Sequence, residues 1–503
     1  MMEGAVVRRP RCHAGPLALS CLHPLDERGM SDDALAFAPA WQLRDLVARR
    51  EVSPVALAEL FLRRISALNP RLNAYLTVAA DQALAAARHA ELAVARREPL
   101  GPLHGVPIAI KDLNSTQGIR TTRGSLLYKD YVPPSDDLCV ARIRAAGAVI
   151  LGKTNTPEFG HSGTTENLLG DACRNPWDLT RTSGGSSGGA ASGLAAGLHP
   201  IAQGSDGGGS IRMPASMCGV YGLKPAQGRV ARSYVAPGGW NVFAQNGPIT
   251  RTVRDAALLL QVMAGPDPFD PTAIPEPPPD FSARLDAGVR GMRIGLSVDM
   301  GGVPVDPQVC DAVRKAALAF EALGASVEES RQVGIDHEQA KQTFVTLWLA
   351  DYALTLGDAV SQHGDAVTPW LRELVLEAMA WPASYVARAL HDLEWHRYRM
   401  DALVRRYDLL LTPTLAVPAF PVGRRPSVID GQVVDSNWGF TPFTYLVNMS
   451  GHPAASIPCG FTTDGLPIGL HLIGHRNDEA TVLQASAAFE AARPWAHKRP
   501  TER

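Results

Sequence analysis

Residues 184–212 read GGSSGGAASGLAAGLHPIAQGSDGGGSIR and are the most informative part of this chain for its architecture. A loop of glycine and serine comes first, followed by a helix of small residues predicted at 190–197 and a short strand predicted at 200–203. A second glycine and serine loop follows. Because two such loops on either side of one helix can reach the same end of a sheet, we expect Ser186 and Ser210 to face one site.

Short apolar runs on both sides of this stretch predict further buried strands. Residues 106–111 and 148–151 are such runs, and the segment 137–146 between them has helical periodicity. Strand patterns return near the C-terminus at 409–412, 455–458 and 467–473. This alternation predicts an α/β fold around a central sheet that C-terminal residues complete.

The predicted domain organisation follows the changes in composition. Residues 1–29 are predicted to be a disordered extension, and 30–503 to form a single domain. A proline-rich stretch at 265–279 has the composition of a linker, and helical patterns follow it at 308–323 and about 336–406. The predicted core is therefore about 40–265 and 407–495, with an inserted helical lobe at about 285–406 covering it.

The overall composition excludes several function classes. The chain has 503 residues, 46% of them apolar, and its 48 basic and 50 acidic residues nearly cancel. This balance gives no electrostatic attraction to nucleic acid or to an anionic membrane. Seven scattered cysteines without a C-x-x-C pair favour a reducing compartment, and we expect the protein in the cytoplasm. We expect neither a metal nor a cofactor.

One motif resembles a nucleotide site but has a better structural explanation. Residues 147–154, GAVILGKT, fit the phosphate-loop pattern G-x-x-x-x-G-K-[ST]. Their four variable positions are apolar, as in a buried strand, and Pro157 interrupts the helix that should follow. We therefore interpret this segment as a strand.

A second motif, GGSSG at 184–188, fits the nucleophile-elbow pattern G-x-S-x-G. An elbow lies between a strand and a helix, whereas the preceding residues 175–182 are polar and typical of a loop. No later histidine is marked as a triad partner. A flexible linker is another interpretation of this composition, but the run lies between ordered elements.

Three polar residues from separate segments suggest a catalytic site. Lys111 ends a predicted buried strand, an unfavourable place for an ammonium group; alternatively, its side chain reaches solvent. Each serine loop, taken alone, is equally well explained as a structural turn. Together Lys111, Ser186 and Ser210 could supply a base, a relay and a nucleophile. A serine needs a base to attack an amide, and a lysine can serve if burial lowers its pKa to about 7.

Six segments together resemble the amidase signature family of serine hydrolases. The resemblance runs from about Ala40 to the C-terminal region and includes the 24-residue step from Ser186 to Ser210. The segments are GVPIAIK at 105–111, LGKTNTPEF at 151–159, NPW at 175–177, GGSSGG at 184–189, GSDGGGSIR at 204–212 and GLPIGL at 465–470. The resemblance implies a central mixed, twisted sheet with helices on both faces and a helical insertion.

The resemblance also implies a role for each site residue. Ser210 falls on the nucleophile, Ser186 on a relay serine held by a cis peptide, and Lys111 on the base. The backbone of Gly207, Gly208, Gly209 and Ser210 falls on the oxyanion hole, and supporting roles go to Ser187, Asp206 and Arg212. Small-molecule amides are the expected partners, with a possible homodimer and neither nucleic acid nor membrane.

Three questions stay open at the level of sequence. The A subunit of a glutamine-dependent tRNA amidotransferase shares the signature, although we expect threonine and glutamine there in place of Gly207 and Met213. A non-catalytic binding module is the alternative from another class. Aromatic residues in the predicted pocket loops either bind an aryl acyl group or pack the lobe; those loops are 161–162, 217–218, 240–243 and 438–443.

Overall fold

The centre of the structure is one mixed sheet. A computed structural model describes residues 30–232, 243–330 and 333–500. Their strands are β1 (Tyr75–Val78), β2 (Pro107–Lys111), β3 (Val149–Thr154), β4 (Arg174–Asn175), β5 (Asp178–Thr182), β6 (Ile201–Asp206), β7 (Tyr221–Lys224), β8 (Gln245–Thr250), β9 (Arg293–Leu296), β10 (Ser326–Glu329), β11 (Leu409–Pro413), β12 (Val428–Ile429), β13 (Gln432–Val433), β14 (Ala454–Phe461) and β15 (Pro467–Ile473).

Fourteen α-helices of the described chain surround this sheet or are inserted between its strands in the sequence. They are α1 (Asp32–Ala36), α2 (Ala40–Ala48), α3 (Pro54–Leu72), α4 (Ala80–Ala95), α5 (Leu138–Ala145), α6 (Gly188–Ala195), α7 (Arg212–Cys218), α8 (Val253–Met263), α9 (Pro307–Ala322), α10 (His337–His363), α11 (Pro369–Met379), α12 (Ala383–Val404), α13 (Thr444–Ser450) and α14 (Glu479–Ala492). None of these helices of the described chain is long and apolar enough to cross a membrane.

Eleven strands of the described chain form the main sheet, in the order β1-β3-β2-β6-β8-β7-β14-β15-β11-β9-β10. Strand β2 runs parallel to β3 and β6, whereas β8 is antiparallel to β6. Ile108 and Ile110 pack into one apolar cluster and Ala109 into another, because alternate residues of a strand point to opposite faces. The predicted mixed α/β sheet flanked by helices is confirmed.

The parallel pairing of β2 with β6 positions the candidate site. Carboxyl ends of parallel neighbours lie at the same edge of a sheet, so Lys111 at the end of β2 lies beside Ser205 at the end of β6. Helix α6 packs closely on this edge. A Cβ at Gly189 would lie 2.3 Å from the Ala74 carbonyl oxygen, so this position requires glycine.

The helical insertion is shorter than the predicted lobe at about 285–406. Strands β9 and β10 lie within that range but extend the main sheet, and α9 packs against β10 and β14. The helical insertion itself consists of α10, α11 and α12. Four-residue strands are too short to show a clear periodicity, which is why the sequence did not reveal them. The predicted extension at 1–29 lies outside the described residues.

Candidate active site

Lys111 is completely buried at the end of β2, and its amine is held by two oxygen atoms. Its Nζ donates to Ser186 Oγ at 2.7 Å and to the Ser205 carbonyl at 3.2 Å. Its backbone N–H donates to Gln203 Oε1 on the neighbouring strand. The sheet therefore fixes both the main chain and the amine of this lysine.

The surroundings of Lys111 favour the neutral amine. Burial lowers the pKa of Lys111 from its ordinary 10.5 to about 7, although the negative charge of Asp206 acts in the opposite direction. A substantial fraction of the side chain is consequently uncharged near neutral pH. An uncharged amine 2.7 Å from a serine hydroxyl can accept its proton.

The two serine loops are joined directly. The Gly185–Ser186 peptide bond is cis, and the next residue, Ser187, donates its backbone N–H to the Ser210 carbonyl at 3.1 Å. The Ser187 hydroxyl donates to the Ser205 carbonyl at 3.2 Å. These hydrogen bonds connect the loop before α6 to the loop after β6, so the predicted approach of Ser186 and Ser210 is realised in the structure.

Asp206 organises the second loop through its carboxylate. It accepts hydrogen bonds from the backbone N–H of Gly209 at 2.7 Å and of Ile211 at 3.1 Å, and it pairs with the buried Arg212. Burial alone would raise the pKa of Asp206, but the charge and hydrogen bonds of Arg212 outweigh burial and hold it well below its ordinary value. The ionised carboxylate thus closes the loop around Ser210.

One predicted oxyanion donor is already engaged. The Gly209 N–H donates to Asp206 and Gly209 does not line the pocket, so its assignment to the oxyanion hole is wrong. By contrast, the N–H groups of Gly207, Gly208 and Ser210 donate to no acceptor among the described residues. Three backbone donors therefore remain available in this loop.

Ser186 and Ser210 lie in the same pocket, which we call the inner pocket. It encloses about 560 Å³ including its mouth. Its polar floor contains Ser186, Ser205, Gly207, Gly208 and Ser210. Its walls are mainly aromatic: Phe159, Phe344, Trp348, Tyr352 and Trp438.

The helical insertion supplies much of the aromatic wall. Phe344, Trp348 and Tyr352 lie four residues apart on α10 and therefore share one helix face. The Tyr352 hydroxyl donates to the Phe159 carbonyl at 2.8 Å, which ties α10 to the segment that contains Phe159. These three residues were not among the predicted site residues, because their spacing indicates a shared helix face but not what that face contacts.

The predicted pocket loops have different outcomes. Residues 161–162 and Trp438 line the inner pocket, whereas Met217 and Cys218 do not. Residues 240–242 lie outside the described residues. The phosphate-loop pattern at 147–154 lies largely in β3, where buried Lys153 donates to the Thr116 and Thr121 hydroxyls, so its interpretation as a strand is confirmed.

Known proteins similar to this chain include amidases and amidotransferase A subunits. Residues 56–483 match the family model described as Amidase. The chain is 38% identical over 479 residues to an acylamidase of Rhodococcus erythropolis, covering 94% of this chain and 99% of the relative. It is 40% identical over 488 residues to the A subunit of the glutamyl-tRNA(Gln) amidotransferase of Moorella thermoacetica, covering 93% and 99% respectively.

Solved structures show the same likeness. A bacterial aryl acylamidase of the amidase signature family matches with a TM-score of 0.86 and 34% identity, covering 92% of this chain and 99% of that one. The chain therefore belongs to the amidase family. It is an amidase, an enzyme that hydrolyses carbon–nitrogen bonds, and these matches argue against a non-catalytic binding module.

Proposed function

We propose that this amidase hydrolyses small carboxylic amides through a serine acyl-enzyme, with Ser210 as nucleophile, Ser186 as relay and Lys111 as base. The contact of 2.7 Å between the buried Lys111 amine and the Ser186 hydroxyl carries the proposal. It couples a base with a lowered pKa to a hydroxyl in the pocket that also contains Ser210. That combination is what a weakly acidic serine nucleophile requires.

In the proposed mechanism, Ser210 Oγ attacks the amide carbonyl carbon and its proton passes through Ser186 to neutral Lys111. The N–H groups of Gly207, Gly208 and Ser210 are available to stabilise the developing oxyanion, each such donor typically contributing about 10²–10³ in rate. The proton then moves to the leaving nitrogen as the carbon–nitrogen bond breaks. Water attacks the resulting ester, releasing the carboxylic acid and restoring Ser210.

We further propose that the acyl group is apolar or aryl. Five aromatic side chains line the inner pocket together with the two serines, and its volume of about 560 Å³ including the mouth has room for a small apolar or aryl group. Aromatic rings favour such a group through apolar contact and stacking. The aryl acylamidase named above is consistent with this proposal.

A second candidate function is that of the A subunit of a tRNA amidotransferase. Its support is the 40% identity to the Moorella protein over nearly the whole length of both chains. Gly207 and Met213, at positions where we expect threonine and glutamine in such a protein, favour the stand-alone amidase instead. If hydrolysis of glutamine appeared only after partner subunits were added, the amidotransferase would be the better assignment.

The decisive experiment replaces the nucleophile. Ser210→Ala should abolish both hydrolysis of an aryl amide and labelling by a serine-reactive phosphonate, while the circular dichroism spectrum stays unchanged. The matched control is Ser326→Ala, which removes an exposed serine of β10 and should preserve both activities. Labelling or turnover retained by the Ser210 variant would overturn the assignment.

We also propose that the enzyme works in the cytoplasm without nucleic acid or membrane partners. The near balance of 48 basic and 50 acidic residues and the free thiols of the five described cysteines support this proposal. A homodimer stays a prediction that light scattering in solution can test.

A further inference from the structure

A second, more exposed pocket adjoins the inner pocket at His161 and Ser162, which line both. We call it the outer pocket. Most of the residues that line it are polar or charged, among them Glu166, Asn167, Arg424, Arg425 and Asn437, and Trp370 is its aromatic member. A substrate seated at Ser210 therefore has space for a second group beyond the loop that contains His161 and Ser162.

The guanidinium of Arg425 is held in place by neutral groups. Its Nη2 donates to Ser162 Oγ at 2.8 Å and to Thr164 Oγ1 at 3.3 Å, and Nη1 donates to Asn437 Oδ1. Its central carbon lies 5.4 Å from the centre of the Trp370 ring. These contacts fix the orientation of the side chain, which is only partly exposed.

Arg425 retains unused capacity to bind an anion. An arginine has five N–H donors, and the contacts to Ser162, Thr164 and Asn437 use three of them. Within the described part of the chain, no carboxylate lies within 4.0 Å of its guanidinium nitrogens. A rigid, partly desolvated guanidinium with spare donors is suited to binding a carboxylate.

The other charged groups leave the outer pocket net positive. Arg424 and Arg425 line it, and among the described residues Glu166 is the only acidic one that does. The negative charges of Glu166 and Asp435 favour the charged form of Arg425 without forming an ion pair with it. His161 contributes no charge near neutral pH, because burial lowers its pKa to about 4.

We propose that the outer pocket binds a carboxylate on the leaving-amine part of the substrate, and that Arg425 is the residue that recognises it. The preferred substrates are then N-acyl derivatives of amino acids or aminobenzoates. This inference rests on the proposed function. The acyl group stays bonded to Ser210 in the enclosed pocket while the amine departs first, so the amine occupies the more exposed side.

The test compares two amides that share a benzoyl group. N-benzoyl-para-aminobenzoate carries the carboxylate, and N-benzoyl-para-nitroaniline carries a neutral group of the same shape. Arg425→Gln should lower kcat/KM for the aminobenzoate about 10-fold to 100-fold relative to the nitroanilide, since a hydrogen bond to a charged group is lost. The quantity compared is the ratio of kcat/KM for the aminobenzoate to kcat/KM for the nitroanilide. A change in this ratio between variants does not depend on the different intrinsic reactivity of the two amides.

The control variant is Arg405→Gln, which removes an exposed positive charge at the end of α12, outside both pockets. It should leave the ratio unchanged. Glu166→Gln removes the acidic group of the outer pocket and should raise the ratio about threefold; this variant decides the matter if Arg425→Gln does not fold.

The outcomes separate this inference from the proposed function. If Arg425→Gln slows both amides equally, Arg425 only supports the loop at 162–164 and the inference is overturned. An unchanged ratio in both the Arg425 and Glu166 variants overturns it as well. If the wild-type enzyme cleaves neither amide and Ser210 resists the phosphonate, the proposed function itself has failed.

Discussion

Arg212 donates hydrogen bonds from Nε and Nη2 to the two carboxylate oxygens of Asp206, each 2.9 Å long, and both side chains are fully buried. Arg212 Nη2 also donates to Asn448 Oδ1, and its Nη1 lies 3.0 Å from His471 Nε2. The loop of Ser210 thus depends on an ion pair that is anchored to C-terminal segments of the chain.

Removing one member of this ion pair should destabilise the fold more than removing both members. Arg212→Met leaves the Asp206 carboxylate buried without its cation, and we expect a loss of about 3–5 kcal/mol in the free energy of unfolding. Asp206→Asn combined with Arg212→Met should recover part of that loss, because no unpaired charge remains. Urea unfolding of the wild type, both single variants and the double variant measures the coupling. Additive losses would contradict a paired arrangement.

The activity should depend on the ionisation of Lys111. With the pKa of Lys111 near 7, its amine becomes protonated as the pH falls and can no longer accept a proton. We expect kcat/KM to decrease about tenfold per pH unit below pH 7. Lys111→Ala should abolish this decrease at low pH along with most of the activity. Lys129→Ala, at an exposed lysine, should retain both the activity and its decrease at low pH. A profile that is flat from pH 5 to pH 8 would exclude lysine as the base.

Replacing the two glycines on either side of Gly208 by alanine should change the stability of the protein by different amounts. Gly209 has φ +129°, and a Cβ there would lie 2.4 Å from Thr444 Oγ1, which itself holds the Gly208 carbonyl. We expect Gly209→Ala to cost about 2 kcal/mol or more. At Gly207 the nearest atom to a new Cβ is 3.5 Å away, so Gly207→Ala should change the melting temperature little. Equal losses of stability in the Gly207 and Gly209 variants would contradict the loop geometry.

The sequence predicted the elements that have strong local signals. Continuous apolar runs identified β2 and β3, and glycine-rich segments identified the loops that contain Ser186 and Ser210. The cost of burying an amine marked Lys111 as unusual. These features depend on residues close together in the chain, so their patterns survive without knowledge of the tertiary structure.

Other features depend on contacts between distant segments and were not predictable in this way. The engagement of the Gly209 N–H by Asp206 requires the folded loop, because a run of glycines shows no difference between its members. Trp348 reaches the inner pocket only through the packing of α10. Arg425 is held at the outer pocket by Asn437 and by Ser162 and Thr164, which are distant from it in the sequence. A helix face rich in aromatics is more often packed in a core than placed in a pocket.

Burial of Lys111 should also appear in the pH dependence of stability. Its pKa is about 7 in the folded enzyme and near 10.5 when exposed, so between these values the unfolded chain binds the extra proton and stability rises with pH. Lys111→Met removes this contribution. The free energy of unfolding of the variant minus that of the wild type should therefore fall by several kcal/mol, on the order of 4, from pH 7 to pH 10.5. Lys224 and Lys153 also have pKa values lowered by burial, to about 7 and about 8, but both are present in the two proteins and cancel in the difference. A constant difference over this range would mean that the Lys111 amine stays charged in the folded enzyme, and it could not then act as a base at neutral pH.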